Sequence, residues 1–324
     1  VYKDKKIGVV VPAYNEEKLI YRVMDTMPEF VDVIIVIDDA SKDQTVKIVE
    51  EYINKSERNI ILLKHEENKG VGAAIISGYK KSIELDLDAV GVMAGDAQMD
   101  PDELVFLLEP IVDDRAEYVK GNRLVYGEAW KKIPKIRYIG NAFLSLMTKI
   151  TSGYWHVADS QTGYTVINVN VLKHIDLDAV YKRYGYPNDL LTRLNIENAR
   201  VMDYPIKPIY NIGEKSGIKI YKVIPLLSLL LLNLFFVRLL QKYIIRDFHP
   251  LVFFYLLGLV LFPFGVGLGA LFVYKFFNGY ISVASIVISV FLLIVSLQSI
   301  LFAMWFDMDY NRNNCIFQNK GFRK

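Results

Sequence analysis

Asp96 and Gln98 stand two residues apart in the segment AGDAQMDPDE (94–103), just past the apolar run Asp88-Ala89-Val90-Gly91-Val92-Met93. That run reads as a buried strand, and a bend after it can aim both side chains at one point. A carboxylate and an amide oxygen so placed are hard ligands suited to Mg²⁺ or Mn²⁺. Asp100 then reads as a helix N-cap, with Pro101 at the first helical position and Asp102 and Glu103 in the first turn. Strand, turn and capped helix could equally be plain scaffold. What raises the chemical reading is where the other acids fall.

Residues 7–11 (Ile-Gly-Val-Val-Val) and 33–37 (Val-Ile-Ile-Val-Ile) are short apolar runs, each followed by polar residues and a helical pattern. Tyr14 and Glu16 follow the first, Asp38 and Asp39 the second, and Asp96 follows the strand before 94. Further helices are expected at about 43–55 and 70–83, with a strand at 60–63 between them. Strands alternating with helices imply a doubly wound, mostly parallel sheet, in which ligands bind beyond the carboxyl ends of the strands. Acids gathered there would repel one another unless they faced something. Asp38 and Asp39 could accept from a base and ribose hydroxyls while Asp96 holds a metal that offsets diphosphate charge. Turn chemistry alone also accounts for the Asp38-Asp39 pair.

The chain has 324 residues, enough for one large catalytic domain and a smaller second one, and its net charge of +2 argues against a nucleic-acid binder. Hydrophobic residues make up 52% and mean hydropathy is +0.23. The excess is concentrated in 223–306. A single cysteine, Cys315, excludes an intrachain disulfide framework. The opening is charged and then a strand, so no N-terminal signal peptide is expected.

Four segments in order carry a resemblance: VVPAYNEE (10–17), DDASKDQT (38–45), NKGVGAAIISGYK (68–80) and AGDAQMDPDE. They look like the inverting family 2 glycosyltransferases of the GT-A fold, over roughly residues 6–220. Within that family the sequence most resembles polyprenyl- and dolichyl-phosphate sugar synthases and membrane-bound cellulose-synthase-like enzymes. The resemblance implies that Pro12, Ala13, Tyr14, Glu16, Asp38, Asp39, Lys69 and Gly70 hold the nucleotide sugar, and that Asp96 and Gln98 hold the metal and diphosphate. One departure is Ala94, which stands where the family's usual Asp-x-Asp has its first Asp. Arg123, after a strand at 117–120, looks like the family's arginine near the donor phosphates. DSQTGYTVI (159–167) resembles the segment lining the acceptor side of the donor sugar, which adds Gln161, Thr162 and Gly163. Asp189, in Tyr184-Gly185-Tyr186-Pro187-Asn188-Asp189, sits where cellulose-synthase-like members place their catalytic base. Lys215, between Gly213 and Gly217, matches a basic residue that closes over the leaving diphosphate. A surface arginine, a helix-dipole acid and an exposed linker are the structural alternatives for Arg123, Asp189 and Lys215.

The stretch 131–150 begins with Lys131, Lys132, Lys135 and Arg137 and continues with Phe143, Leu144, Leu146, Met147 and Ile150. Such a helix can lie in the headgroup layer of an anionic membrane or pack on the sheet. Segments 251–274 and 281–306 exceed the ~20 residues needed to cross a bilayer. Segment 223–241 carries Asn233 and Arg238 and is marginal. Three embedded helices within 221–310 and a tail at 311–324 are expected. Placing the first helix in the interface instead would keep Lys242, Arg246 and the basic tail on the catalytic side, as the positive-inside rule prefers.

The expected protein is therefore a GT-A domain at 1–220 followed by a helical membrane domain. It is expected to be an integral membrane protein with its catalytic domain in the cytoplasm, at the plasma membrane in a prokaryote. Its expected reaction is metal-dependent transfer of a hexose, mannose from GDP-mannose, to an isoprenoid lipid-linked acceptor in glycan biosynthesis. That acceptor is either the lipid phosphate or a saccharide on the lipid, and a hydroxyl acceptor would require the base. The alternatives are a UDP-sugar-dependent polysaccharide or glycolipid synthase and a non-catalytic nucleotide-sugar-binding scaffold.

Overall fold

The computed structural model describes residues 2–125, 135–209, 220–278 and 283–317. The chain divides into two compact units, 1–235 with 313–324, and 236–312. In the first, β1 (Ile7–Ala13), β2 (Val33–Asp38), β3 (Ile60–Lys64) and β4 (Ala89–Val92) alternate with α1 (Ile20–Asp25), α2 (Thr45–Lys55) and α3 (Val71–Glu84). A short turn of 3-10 helix, Pro101–Glu103, then enters α4 (Leu104–Val112), and Asp100 caps it by accepting from the Asp102 amide at 3.2 Å. The remaining elements are β5 (Tyr118–Asn122), α5 (Lys135–Ser152), β6 (Thr165–Asn168), α6 (Tyr186–Ile196), β7 (Val201–Pro205) and β8 (Cys315–Ile316).

The strand order is β3-β2-β1-β4-β6-β5-β7-β8. All pairs are parallel except those of β6, which runs antiparallel to both β4 and β5. The sheet is thus mostly parallel as expected, with one reversed strand that the sequence pattern did not announce. β1 and β2 are buried along their whole length because helices cover both faces. Their alternate side chains feed two separate cores. Val10, Ile35 and Ile37 pack with Ala74 and Tyr79, whereas Val9, Val11, Ile34 and Val36 pack with Met24, Leu104 and Leu107.

Three long apolar helices follow: α7 (Ile220–Leu240), α8 (Leu251–Phe277) and α9 (Val283–Tyr310). Each contains a stretch long and apolar enough to cross a membrane. The boundary between the two units falls inside α7 rather than at 220. Within the second unit α8 and α9 lie side by side, and Ser296 and Ser289 of α9 donate to the Gly258 and Gly265 carbonyls of α8, both at 2.8 Å. Small residues at such contacts let two backbones approach closely. Buried beside the helix ends, Arg238 grips Asp307 with both terminal nitrogens, at 2.7 and 3.0 Å.

Candidate active site

A cleft of about 810 Å³ opens at the carboxyl ends of β1, β2 and β4. Pro12, Ala13, Tyr14, Glu16, Asp39, Gly70 and Asp96 line it, so most of the residues expected to hold a donor do come together. The loops that carry them are laced to each other. The Asn15 amide donates to Ser41 and its side chain accepts from the Lys42 amide, the Glu16 amide donates to the buried Thr45, and the Gln44 amide donates to Glu17. Asn15, Ala40 and Ala97, one in each of the three loops, have φ of 58°, 60° and 54°. Non-glycine residues held in this left-handed region are strained, and such strain gathers at ligand sites.

The two acids of β2's end do different work. Asp39 accepts from the Lys69 and Gly70 amides at 2.9 and 2.8 Å and meets the His65 ring at 2.7 Å, and that ring also bonds Ser77. Both its oxygens are therefore engaged within the protein, and its main role is to fix the turn before α3. Asp38 accepts from the Ser41 amide, while its Oδ1 is buried with no partner among the described residues. Asp38 thus keeps an unpartnered acceptor oxygen, but Asp39 and not Asp38 is on the cleft wall. Lys69 enters through its backbone and is not on the cleft wall.

Gly70, on the cleft wall, and Gly72 also serve packing. Gly70 has φ +96°, and a Cβ at either position would stand 2.7 Å from a carbonyl oxygen of the 181–182 backbone. These glycines let the loop before α6 press on the start of α3, where the Lys182 carbonyl accepts from the Ala73 amide. That loop delivers Arg183 and Tyr184 to the cleft wall. Neither was anticipated, because nothing in the sequence ties residues 183–184 to the end of β1. Lys18 and Arg183 are the basic residues among the described cleft walls, against Glu16, Glu17, Asp39, Asp43 and Asp96.

This acid excess has a measurable consequence. Burial first, then the charges of Asp96 and Asp43, push the Glu16 carboxyl up to about 7. Asp96 accepts from the Gln98 amide at 3.1 Å, so both stand in one tight turn. Among the described residues no three His, Cys, Asp or Glu side chains converge to hold a metal by themselves. Asp96, on the cleft wall beside acids that crowd it, fits a hard divalent ion completed by phosphate oxygens, while Gln98 enters the turn through its backbone amide and is not on the cleft wall.

The remaining expected residues form a second, closed group. Arg123 grips Asp159 at 2.8 and 3.1 Å, which together with Lys120 holds that buried carboxyl below its ordinary range despite burial. Behind it, Lys120 donates to the Thr162 carbonyl, and burial lowers its ammonium to about 8. Burial raises Asp203, bonded to Asn122 and the Ala158 amide, to about 7. Gln161 donates to Ser160 and Asn188. Gly163 lies against Met99, and Tyr164 donates to the Asp100 carbonyl, so the 159–164 segment adjoins the Asp96 turn. None of Arg123, Gln161, Thr162 and Gly163 lines the cleft itself.

Asp189 is the clearest departure from expectation. It is buried at the start of α6, where one oxygen accepts from the Tyr181 amide at 2.7 Å and the other from Arg193 at 2.8 Å. It braces the loop that carries Arg183 and is not on the cleft wall. Lys215 lies outside the described residues, as do Lys131 and Lys132.

The family model described as Glycosyl transferase family 2 matches residues 8–176. The UDP-N-acetylglucosamine–dolichyl-phosphate N-acetylglucosaminyltransferase of Methanococcus voltae is 36% identical over 219 residues, 64% of this chain and 87% of that protein. The undecaprenyl-phosphate mannosyltransferase of Micrococcus luteus is 30% identical over 207 residues, 62% of this chain and 82% of that protein. Among solved structures, glucosyl-3-phosphoglycerate synthase of Mycobacterium tuberculosis superposes with a TM-score of 0.52 at 17% identity, over 72% of this chain and 81% of that one. This last likeness is one of fold.

Proposed function

This chain belongs to glycosyl transferase family 2, and from that premise we propose that it moves one sugar from a nucleoside-diphosphate donor to the phosphate of a polyprenyl or dolichyl phosphate. The observation that carries this reading is that both relatives named above, which differ in sugar, share a lipid-phosphate acceptor by name. The state of Asp189 supports it. A sugar hydroxyl must lose its proton as it attacks, whereas a lipid phosphate is already an anion and needs no base. With Asp189 engaged at both oxygens, the hydroxyl reading loses its base and the phosphate reading loses nothing.

In this reaction an oxygen of the lipid phosphate attacks the anomeric carbon from the face opposite the leaving group. The bond from that carbon to the diphosphate oxygen breaks, the nucleoside diphosphate departs with the electron pair, and configuration inverts. Tyr14 offers an exposed aromatic face to the base. Asp96 would hold a divalent ion, which when bound screens the charge of the leaving diphosphate. Arg183 adds a guanidinium to the same wall, suited to phosphate oxygens. The cleft faces the cytosol, where nucleotide sugars are made.

Mannose from GDP-mannose remains one donor. The 36% identity to an N-acetylglucosaminyltransferase puts UDP-N-acetylglucosamine first. The test is the full chain in lipid–detergent micelles with UDP-N-acetylglucosamine, GDP-mannose or UDP-glucose, each against polyprenyl phosphate and a lipid-linked saccharide, with Mg²⁺, Mn²⁺ or chelator. One donor should give an acid-labile sugar-phosphate lipid. Transfer to the saccharide alone would overturn the acceptor assignment.

A further inference from the structure

Helix α5 is built inside out. Its buried side carries hydroxyls: Ser145 meets Ser160 at 3.2 Å, Thr148 donates to Asn188 at 3.0 Å, and Thr151 donates to the Leu231 carbonyl at 3.4 Å. Its outward side carries Phe143, 64% exposed, and Leu146, 48% exposed. A helix on a water-facing surface has the reverse pattern. The last of those bonds reaches α7, which repeats the arrangement. Leu227, Leu231 and Leu234 are buried and Leu230 lies against Gly185, while Leu226, Leu229 and Leu232 stand outward, Leu229 at 66%. Two neighbouring helices of the sheet-bearing unit thus expose a run of large apolar side chains, which marks a surface with a partner.

We infer that this partner is the lipid bilayer: the catalytic unit rests on the membrane through α5 and α7, and among the described helices α8 and α9 alone cross it. The inference rests on reading α8 and α9 as membrane spans and is independent of donor and acceptor. Continuity of the chain selects lipid over a protein partner. α7 passes through 241–250 directly into α8, a helix of 27 residues with Lys275 as its one charged side chain.

The count of crossings follows from the tail. Cys315 and Ile316, just after α9, pair in parallel with Val201 and Met202 of β7. The helical segment therefore begins and ends on the same sheet-bearing unit, and an odd number of crossings would leave β8 across the membrane from its partner strand. α8 goes out, Asn278 at its end falls on the far side, and α9 returns. The end of α7 is then on the near side, in agreement with the Arg238 to Asp307 pair that joins it to the end of α9. Arg238, Lys242, Arg246 and Arg312 all fall near, and Lys275 alone falls far, which matches the positive-inside rule with the cleft in the cytosol.

The test uses the full chain in sealed vesicles, with Cys315→Ser as background and single cysteines at Glu57, Asn278 and Asn313. An impermeant maleimide should reach Glu57→Cys and Asn313→Cys from one side and Asn278→Cys from the other. Labelling of Asn313→Cys from the side opposite Glu57→Cys would overturn the two-crossing arrangement. Spin labels at Leu146→Cys and Leu229→Cys should collide several-fold more with oxygen than with a water-soluble nickel chelate, and the ratio should invert at Glu57→Cys. Equal ratios at all three positions would remove the bilayer from this face. Neither readout depends on sugar transfer, so a failed donor panel leaves this result standing.

Discussion

The cleft at the ends of β1, β2 and β4 and the polar layer behind β5 and β7 use the same residue types to opposite ends. In the layer Asp159 has Arg123 and Asp189, on the neighbouring α6, has Arg193, while Asp203, which burial raises to about 7, is held by the neutral Asn122 and the Ala158 amide. In the cleft Glu16 faces Asp96 and Asp43, and its carboxyl is pushed up to about 7 because burial first, and then like charges, oppose ionisation. A self-neutralised group holds backbone in place. An acid cluster short of cations binds whatever brings positive charge. The distinction lies in partners and not in composition.

Exchanging one oxygen for an amide in each region is the sharpest way to break this comparison. Asp96→Asn should lower transfer by about 10²–10³-fold, the size expected when an electrostatic group at the developing charge is removed, with folding little changed. Asp189→Asn should do the reverse. Its loss of the charge and of one of the Arg193 and Tyr181 bonds, with an amide NH₂ turned on the other donor, should cost about 1–3 kcal/mol of stability, while turnover at saturating donor stays within about fivefold of wild type. Labelled-lipid assays and thermal melts on both variants decide it. A loss of about 10²–10⁴-fold in Asp189→Asn would be the signature of a general base and would reverse the assignment made here.

A smaller effect concerns pH. Glu16 has a folded value of about 7 against 4.5 in its ordinary state. For an acid raised in this way the folded state holds the extra proton, so stability falls as pH rises from about 4.5 to 7 and then levels off. Glu16→Gln should therefore match wild type near pH 4 and melt higher than wild type at pH 8. Adding Mn²⁺ with a nucleoside diphosphate should flatten the wild-type slope by supplying the missing positive charge. An unchanged slope in Glu16→Gln would show that the cleft is not under this strain.

The cleft was legible in the sequence because its parts are local: continuous apolar runs give buried strands, and Glu16, Asp38, Asp39 and Asp96 sit one to a few residues past them. What escaped was non-local. β6 is four residues long and β8 two, too short for periodicity to reveal, and the reversal of β6 depends on which strands flank it. Asp39 looked like a ligand and proved a brace because its partners lie some thirty residues away, at Lys69 and Gly70. Asp189 sits at a helix start, where a free acid and a braced one look alike in sequence; only Tyr181 and Arg193 tell them apart.

The pairing of β8 with β7 also sets an order of manufacture. β7 emerges from the ribosome long before its edge partner, and the entire helical hairpin must be made in between. Until then β7 presents open backbone groups, the kind of edge along which chains associate wrongly. Closing the sheet therefore has to wait until the hairpin has been made. The completeness of the sheet is thus tied, through two residues of edge pairing, to the helical hairpin that precedes them.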